Sequence, residues 1–126
     1  MKDKDLHAHH ISQQFNSELD DIKTRMLEMG GVVEKQVADA TTAFMSQDSG
    51  LADEVKRGDR IVNALEVSID EECTIILARR QPAATDLRLV LSISRIISDL
   101  ERMGDEATKV AEAAIKLGEL GGLPRS

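Results

Sequence analysis

Aromatic side chains are nearly missing from this chain: Phe15 and Phe44 are the only two, with no Trp and no Tyr. A β-sandwich or barrel draws heavily on aromatic and β-branched residues, so Met, Leu, Ile, Val and Ala must build the core, which favours packed helices. Cys73 is the single cysteine, so no internal disulfide can form. It falls four residues after Ile69 on an apolar helical stripe and reads as a small core residue, not a reactive thiol. There are only two prolines, so long uninterrupted helices are possible. No run of 18 apolar residues occurs, and no apolar segment follows Met1-Lys2-Asp3-Lys4-Asp5. The chain is therefore expected to be soluble and cytoplasmic, reaching a membrane only by docking to a membrane protein. Positive charge is also in deficit. Sixteen basic against 23 acidic residues give a formal charge of −7, which disfavours nucleic acid and anionic lipid as partners.

The 126 residues are enough for one domain with a real core. The first segment, from about His10 to Gln47, carries Ile11, Phe15, Leu19, Ile22, Met26, Met29, Val33, Val37, Ala40 and Phe44 at spacings of three and four. That periodicity predicts an amphipathic helix. Gly30-Gly31 interrupts it, either as a tolerated kink or as a place where another helix approaches closely. Asp48-Ser49-Gly50 reads as a turn with capping residues. A second helix is expected from about Leu51 to Arg79, with Leu51, Val55, Val62, Leu65, Ile69, Cys73 and Ile76 inward. Gln81-Pro82 ends it, because the residue before proline is pushed out of the α region. A third helix should begin at Pro82 and run to about Leu117 through Val90, Ile93, Ile97, Leu100, Met103, Ala107, Val110 and Ala114. Gly118, Gly121-Gly122 and Pro124 then stop it. Three helices of roughly 30 to 38 residues would be about 45–57 Å long. Short turns make them an antiparallel up-down-up all-α bundle over 9–118, with a flexible N-terminus before it (1–8) and a tail after it (119–126).

Two acidic stripes stand out. Asp59, Asn63, Glu66 and Asp70 follow the spacing i, i+4, i+7, i+11 on the second helix. Glu101, Asp105, Thr108 and Glu112 repeat it on the third. Each stripe lies one position after an apolar stripe, Val62, Leu65 and Ile69 in the first case and Leu100, Met103 or Gly104, and Ala107 in the second, so its carboxylates border the core and call for a cation, a basic partner or water. Glu66/Asp70 and Glu101/Asp105 are Glu-x-x-x-Asp pairs whose side chains lie side by side and could share a metal. Oxygen ligands alone suit Mg²⁺, Mn²⁺, Ca²⁺ or iron better than copper. In a chain that is 31% charged, a solvated acidic face is the competing reading. A di-iron carboxylate enzyme or storage bundle would want Glu-x-x-His on two helices. The histidines are His7, His9 and His10, none preceded by Glu at that spacing. Glycine-rich phosphate loops, nucleophile elbows and zinc spacings are absent. On the third helix, Arg88, Arg95 and Arg102 offer a docking face for a partner, unless Arg95–Asp99 and Arg102–Glu106 are simply surface ion pairs.

The stretch Arg80-Gln81-Pro82-Ala83-Ala84-Thr85-Asp86-Leu87-Arg88, followed by Asp99-Leu100-Glu101-Arg102-Met103-Gly104-Asp105, resembles the signature of PhoU proteins. The family form is close to QPxAxDLR and then LERIGD. Asp59 through Asp70 is similar to the family's second helix, and His10 through Leu19 to the start of proteobacterial members. The likeness covers nearly all of 9–115 and only the first of the two three-helix repeats that a full member carries. It implies a cytoplasmic regulator, not an enzyme. Such a protein modulates the high-affinity phosphate ABC transporter and represses the phosphate regulon, through contacts with the transporter ATPase and the sensor histidine kinase. Some members hold iron or zinc clusters on their Glu/Asp-x-x-x-Asp motifs. Here that implies Glu101, Asp105, Glu66 and Asp70, flanked by Asp59 and Asn63, as metal ligands. Helix faces that a second repeat would cover are expected to be bare, so two copies are expected to associate.

Overall fold

A computed structural model describes the backbone of residues 2–80 and 84–121, and the side chains of 13–79 and 84–121. Three helices account for nearly all of it: α1 (Lys2–Ser46), α2 (Ser49–Arg80) and α3 (Ala84–Glu119). α1 begins eight residues before the expected start at His10 and reaches 45 residues. It runs unbroken through Gly30 and Gly31. The expected stop at Gln81-Pro82 and the tail beyond Gly121 lie outside the described residues.

The α1–α2 turn is tight because both helix ends are satisfied locally. Gln47 adopts φ 55°, the left-handed conformation that closes a helix. The amide of Asp48 then donates back to the Ala43 carbonyl at 2.9 Å. Asp48 Oδ1 accepts from the amide of Leu51 at 3.0 Å, an N-cap bond that starts α2 at Ser49, two residues earlier than expected. Asp86 in the first turn of α3 and Lys116 in its last turn both complement the helix dipole.

All three helices pack on one another. Arg25 Nη1 on α1 donates to Ser68 Oγ at 2.9 Å, and Gln36 Nε2 to the Val55 carbonyl at 3.3 Å. Residue numbers therefore fall along α2 as they rise along α1, which makes the pair antiparallel. α3 returns parallel to α1. The core has two parts. Large aliphatic side chains fill one: Ile22, Met29, Val62, Ile69, Ile76 and Ile93, together with Phe15 and Cys73. Small ones fill the other, which centres on Ala40, Ala43, Ala52, Ala107, Ala111 and Ala114. Helices lined by alanine approach closely. A Cβ built on Gly118 would stand 3.1 Å from Ser49 Oγ.

That alanine end corrects three inward assignments. Val37, Met103 and Val110 are 40%, 49% and 38% exposed. Their places are taken by Gln36, Gly104 and Ala111, all buried. At these three positions the smaller or more flexible neighbour lies between the helices, and Val37, Met103 and Val110 line the α1–α3 seam instead.

Candidate functional site

A polar layer marks the boundary between the two core regions. Gln36 is 4% exposed, and its Nε2 donates to Asp59 Oδ1 at 3.3 Å as well as to the Val55 carbonyl. Its Oε1 is buried without a hydrogen-bond partner. Gly104 lets the two meet. A Cβ there would stand 3.1 Å from Gln36 Oε1 and 3.2 Å from Asp59 Oδ1.

From this layer an acidic groove extends along the α2–α3 seam. Asp59, Glu66, Glu101 and Asp105 are half-buried within it. Asp70 is exposed at its edge and, with Glu66, lines a cleft of about 200 Å³ that is closed on the other side by Ser94, Ile97 and Ser98. Asn63 is exposed, as is Glu112, and Thr108 turns its hydroxyl back to the Gly104 carbonyl at 3.0 Å. The two stripes thus do face each other across one groove, but four carboxylates carry the convergence.

The groove raises the proton affinity of its own carboxylates. Glu101 is held above the ordinary carboxylate value, first by a hydrogen bond with Asp105, then by burial and by the charges of Asp105, Glu66 and Asp59. Glu66 is raised first by burial, then by Asp70 and Asp105. Among the described residues, the ion pairs Lys35–Asp39 at 2.7 Å and Lys109–Glu106 at 3.1 Å lie elsewhere. Crowded carboxylates without a cation favour the arrival of positive charge. Even so, no group of three or more His, Cys, Asp and Glu side chains among the described residues is placed to hold a metal ion. Cys73 is 3% exposed, with its thiol pushed up first by burial and then by Asp70 and Glu72, so it is a core residue and not a nucleophile.

Arg88, Arg95 and Arg102 are all exposed on α3, away from the acidic groove. The expected pairs Arg95–Asp99 and Arg102–Glu106 do not form, and Glu106 takes Lys109 instead. Solvated pairs of this kind are worth only a few tenths of a kcal/mol, too little to fix one geometry. Sequence reasoning missed Gln36 because Val37, its neighbour, fits the apolar stripe equally well. It also missed the Arg25–Ser68 bond, for which the sequence carries no signal.

A helical bundle with an acidic seam is common to many proteins, and comparison narrows the class. The PhoU domain family matches residues 26–114. A Pseudomonas putida protein called "Phosphate-specific transport system accessory protein PhoU homolog" is 58% identical over 99% of this chain and 49% of its own length. The Escherichia coli K12 "Phosphate-specific transport system accessory protein PhoU" is 54% identical over 85% of this chain and 44% of its own. The crystal structure of PhoU from Pseudomonas aeruginosa superposes with a TM-score of 0.84 at 58% identity, over 88% of this chain and 53% of that one. The chain belongs to the PhoU family, and it spans about half the length of these relatives.

Proposed function

We propose that this chain is a regulatory element of phosphate uptake, an accessory to a phosphate transport system that works by protein contact and not by catalysis. The observation that carries this reading is the match of nearly the whole chain, at 58% identity, to a relative named as such an accessory protein. Among the described residues no helix is long and apolar enough to cross a membrane, so contact with a transporter would be made from outside the bilayer. The reading places the chain in the cytoplasm. There it contacts the transporter's ATPase and the sensor histidine kinase and holds the phosphate regulon repressed when phosphate is plentiful. Two copies of the chain act together.

The groove formed by Asp59, Glu66, Glu101 and Asp105, with Asp70 and Asn63 at its edge, receives positive charge from the partner. Lys or Arg side chains inserted there would relieve the repulsion that raises Glu66 and Glu101. Arg88, Arg95 and Arg102 would take acidic groups on a separate face. Iron or zinc, with magnesium, manganese or calcium also admissible, is the second reading of the same groove. What favours it is the buried, unpartnered Gln36 Oε1 beside Asp59.

The experiment is co-purification with the transporter ATPase and with the kinase in metal-free buffer, alongside elemental analysis of the untagged protein. The double variant Glu101→Gln with Asp105→Asn should weaken the partner complex about tenfold or more, since two charge-assisted contacts are lost. An unchanged complex would sink the docking role of the groove. Stoichiometric metal that disappears in the same variant would establish the metal reading in its place.

A further inference from the structure

α2 turns a different chemistry to each side. One flank carries the carboxylates of the acidic groove towards α3, and the other packs on α1, where Arg25 bonds to Ser68. The face between these flanks points away from the bundle. Asp53, Lys56, Arg57 and Arg60 share it at spacings of three and four. All four are exposed, and they border an open hollow of about 440 Å³. The same face continues through Ala64, which is exposed, and Val67, which is 54% exposed. Its charge is the reverse of the molecule's. Three cations fall within five residues of a chain whose formal charge is −7. Among the described residues no carboxylate pairs with Lys56, Arg57 or Arg60, although Asp53 and Asp59 are close in sequence. Like charges three and four positions apart on a helix repel, so the fold gains nothing from placing them there.

We propose that this outer ridge of α2 docks an acidic helical segment of a partner protein, with carboxylates on Lys56, Arg57 and Arg60 and an apolar side chain beyond them on Val67. The inference rests on the reading of the chain as a regulator that works by protein contact, and it gives that contact a second surface. Charge selects the occupant. Nucleic acid and an anionic membrane carry negative charge without interruption, so either would also meet the acidic groove on the adjacent flank, where Asp59 neighbours Arg60. A protein segment with carboxylates over about two turns matches the ridge and stops where its charge stops, at Ala64 and Val67. A small anion is poorly served, because the hollow is walled only by exposed side chains of a single helix. Position keeps the ridge open. All three helices pack on one another, so the outer face of α2 lies opposite the apolar α1–α3 seam. A body seated on that seam, whether a second copy or a further part of a longer chain, covers the other side of the bundle.

The test uses a labelled helical peptide with three glutamates on one face over two turns and a leucine beyond them, followed by fluorescence anisotropy. The chain should bind it, and more weakly as salt rises. Lys56→Glu with Arg60→Glu should raise the dissociation constant at least about tenfold, with helicity by circular dichroism unchanged. Val67→Glu should also weaken binding. Lys23→Glu with Lys109→Glu makes the same change in net charge at exposed positions on α1 and α3, and should leave binding within about twofold. No binding by the unaltered chain overturns the ridge, and so does an equal loss in the two double variants. Displacement of the peptide by inorganic phosphate, but not by chloride at the same ionic strength, makes the hollow a small-anion site and overturns the docking role. The transporter ATPase and the sensor kinase are then tested as whole proteins against the same variants. A complex with either that weakens with the ridge variant and not with the control supports the assignment. A complex indifferent to the ridge variant overturns the ridge as the contact with that partner. Peptide bound through the ridge while neither protein is captured supports the ridge and overturns the accessory role instead.

Discussion

Glu101 brings together the forces acting on this chain's acidic seam. Its carboxyl accepts or shares a proton with Asp105 and feels Glu66 and Asp59 across the groove, so the folded protein holds it above its ordinary value of 4.5. For a carboxyl raised in this way, folding favours the protonated form. The contribution to stability is fully present below pH 4.5 and is lost as pH rises through the raised value. At neutral pH the ionised group therefore works against the fold. Glu101→Gln should raise the melting temperature at pH 7 by a small amount, on the order of 1–3 °C, since solvent screens a half-buried site. The gain should vanish in acid and shrink in high salt. Melting curves over a pH series decide this, and a lower melting temperature at pH 7 would mean that the carboxylate makes a favourable contact instead. The position of Glu101 at the edge of the core was legible in its offset from Leu100. Its coupling to Glu66 was not, because that depends on how α2 and α3 are staggered.

Two glycines separate local preference from packing at the level of the helix. Both Gly31 and Gly104 lie inside long helices, where replacement by alanine ordinarily gains about 0.5–1 kcal/mol. At Gly31 the new Cβ meets nothing, so Gly31→Ala should show that gain in urea denaturation. At Gly104 it would press on Gln36 Oε1 and Asp59 Oδ1, and the buried Gln36 has little room to withdraw. Gly104→Ala should come out at least about 1 kcal/mol less stable than Gly31→Ala. Equal stabilities would show that the polar layer yields freely. The sequence marks both residues as helix-weakening and does not distinguish them. The same ambiguity explains the misplaced seam: from Val33, both Gln36 and Val37 are within a helical step of the core, and only the width left between neighbouring helices chooses.

Across the whole molecule, the bundle is held unevenly. Large aliphatic side chains at one end fill the space between helices, while alanines at the other draw the helices together. Ile69, fully buried among Ile22, Met29 and Ile93, should be the costly site: Ile69→Ala is expected to lose about 2–5 kcal/mol in chemical denaturation. A loss below 1 kcal/mol would mean that the core can collapse around the cavity. The two long seams of α3 differ in chemistry, acidic towards α2 and apolar with a charged rim towards α1.

The sequence by itself determined the number of helices, their amphipathic faces, the cap at Asp48, the carboxylate stripes and the PhoU signature, because each depends on spacing along one chain or on a contiguous motif. The tertiary structure alone decided what happens between chain segments. It buried Gln36 in place of Val37 and Gly104 in place of Met103, because α3 comes so close to Gln36 and Asp59 that a Cβ at Gly104 would stand 3.1 Å and 3.2 Å from their oxygens. It drew Asp59, Glu66, Glu101 and Asp105 into one groove, because antiparallel packing set the stagger of α2 against α3. It left Gly30, Met103 and Val110 facing outward, because three helices enclose one core and each must turn a side away from it.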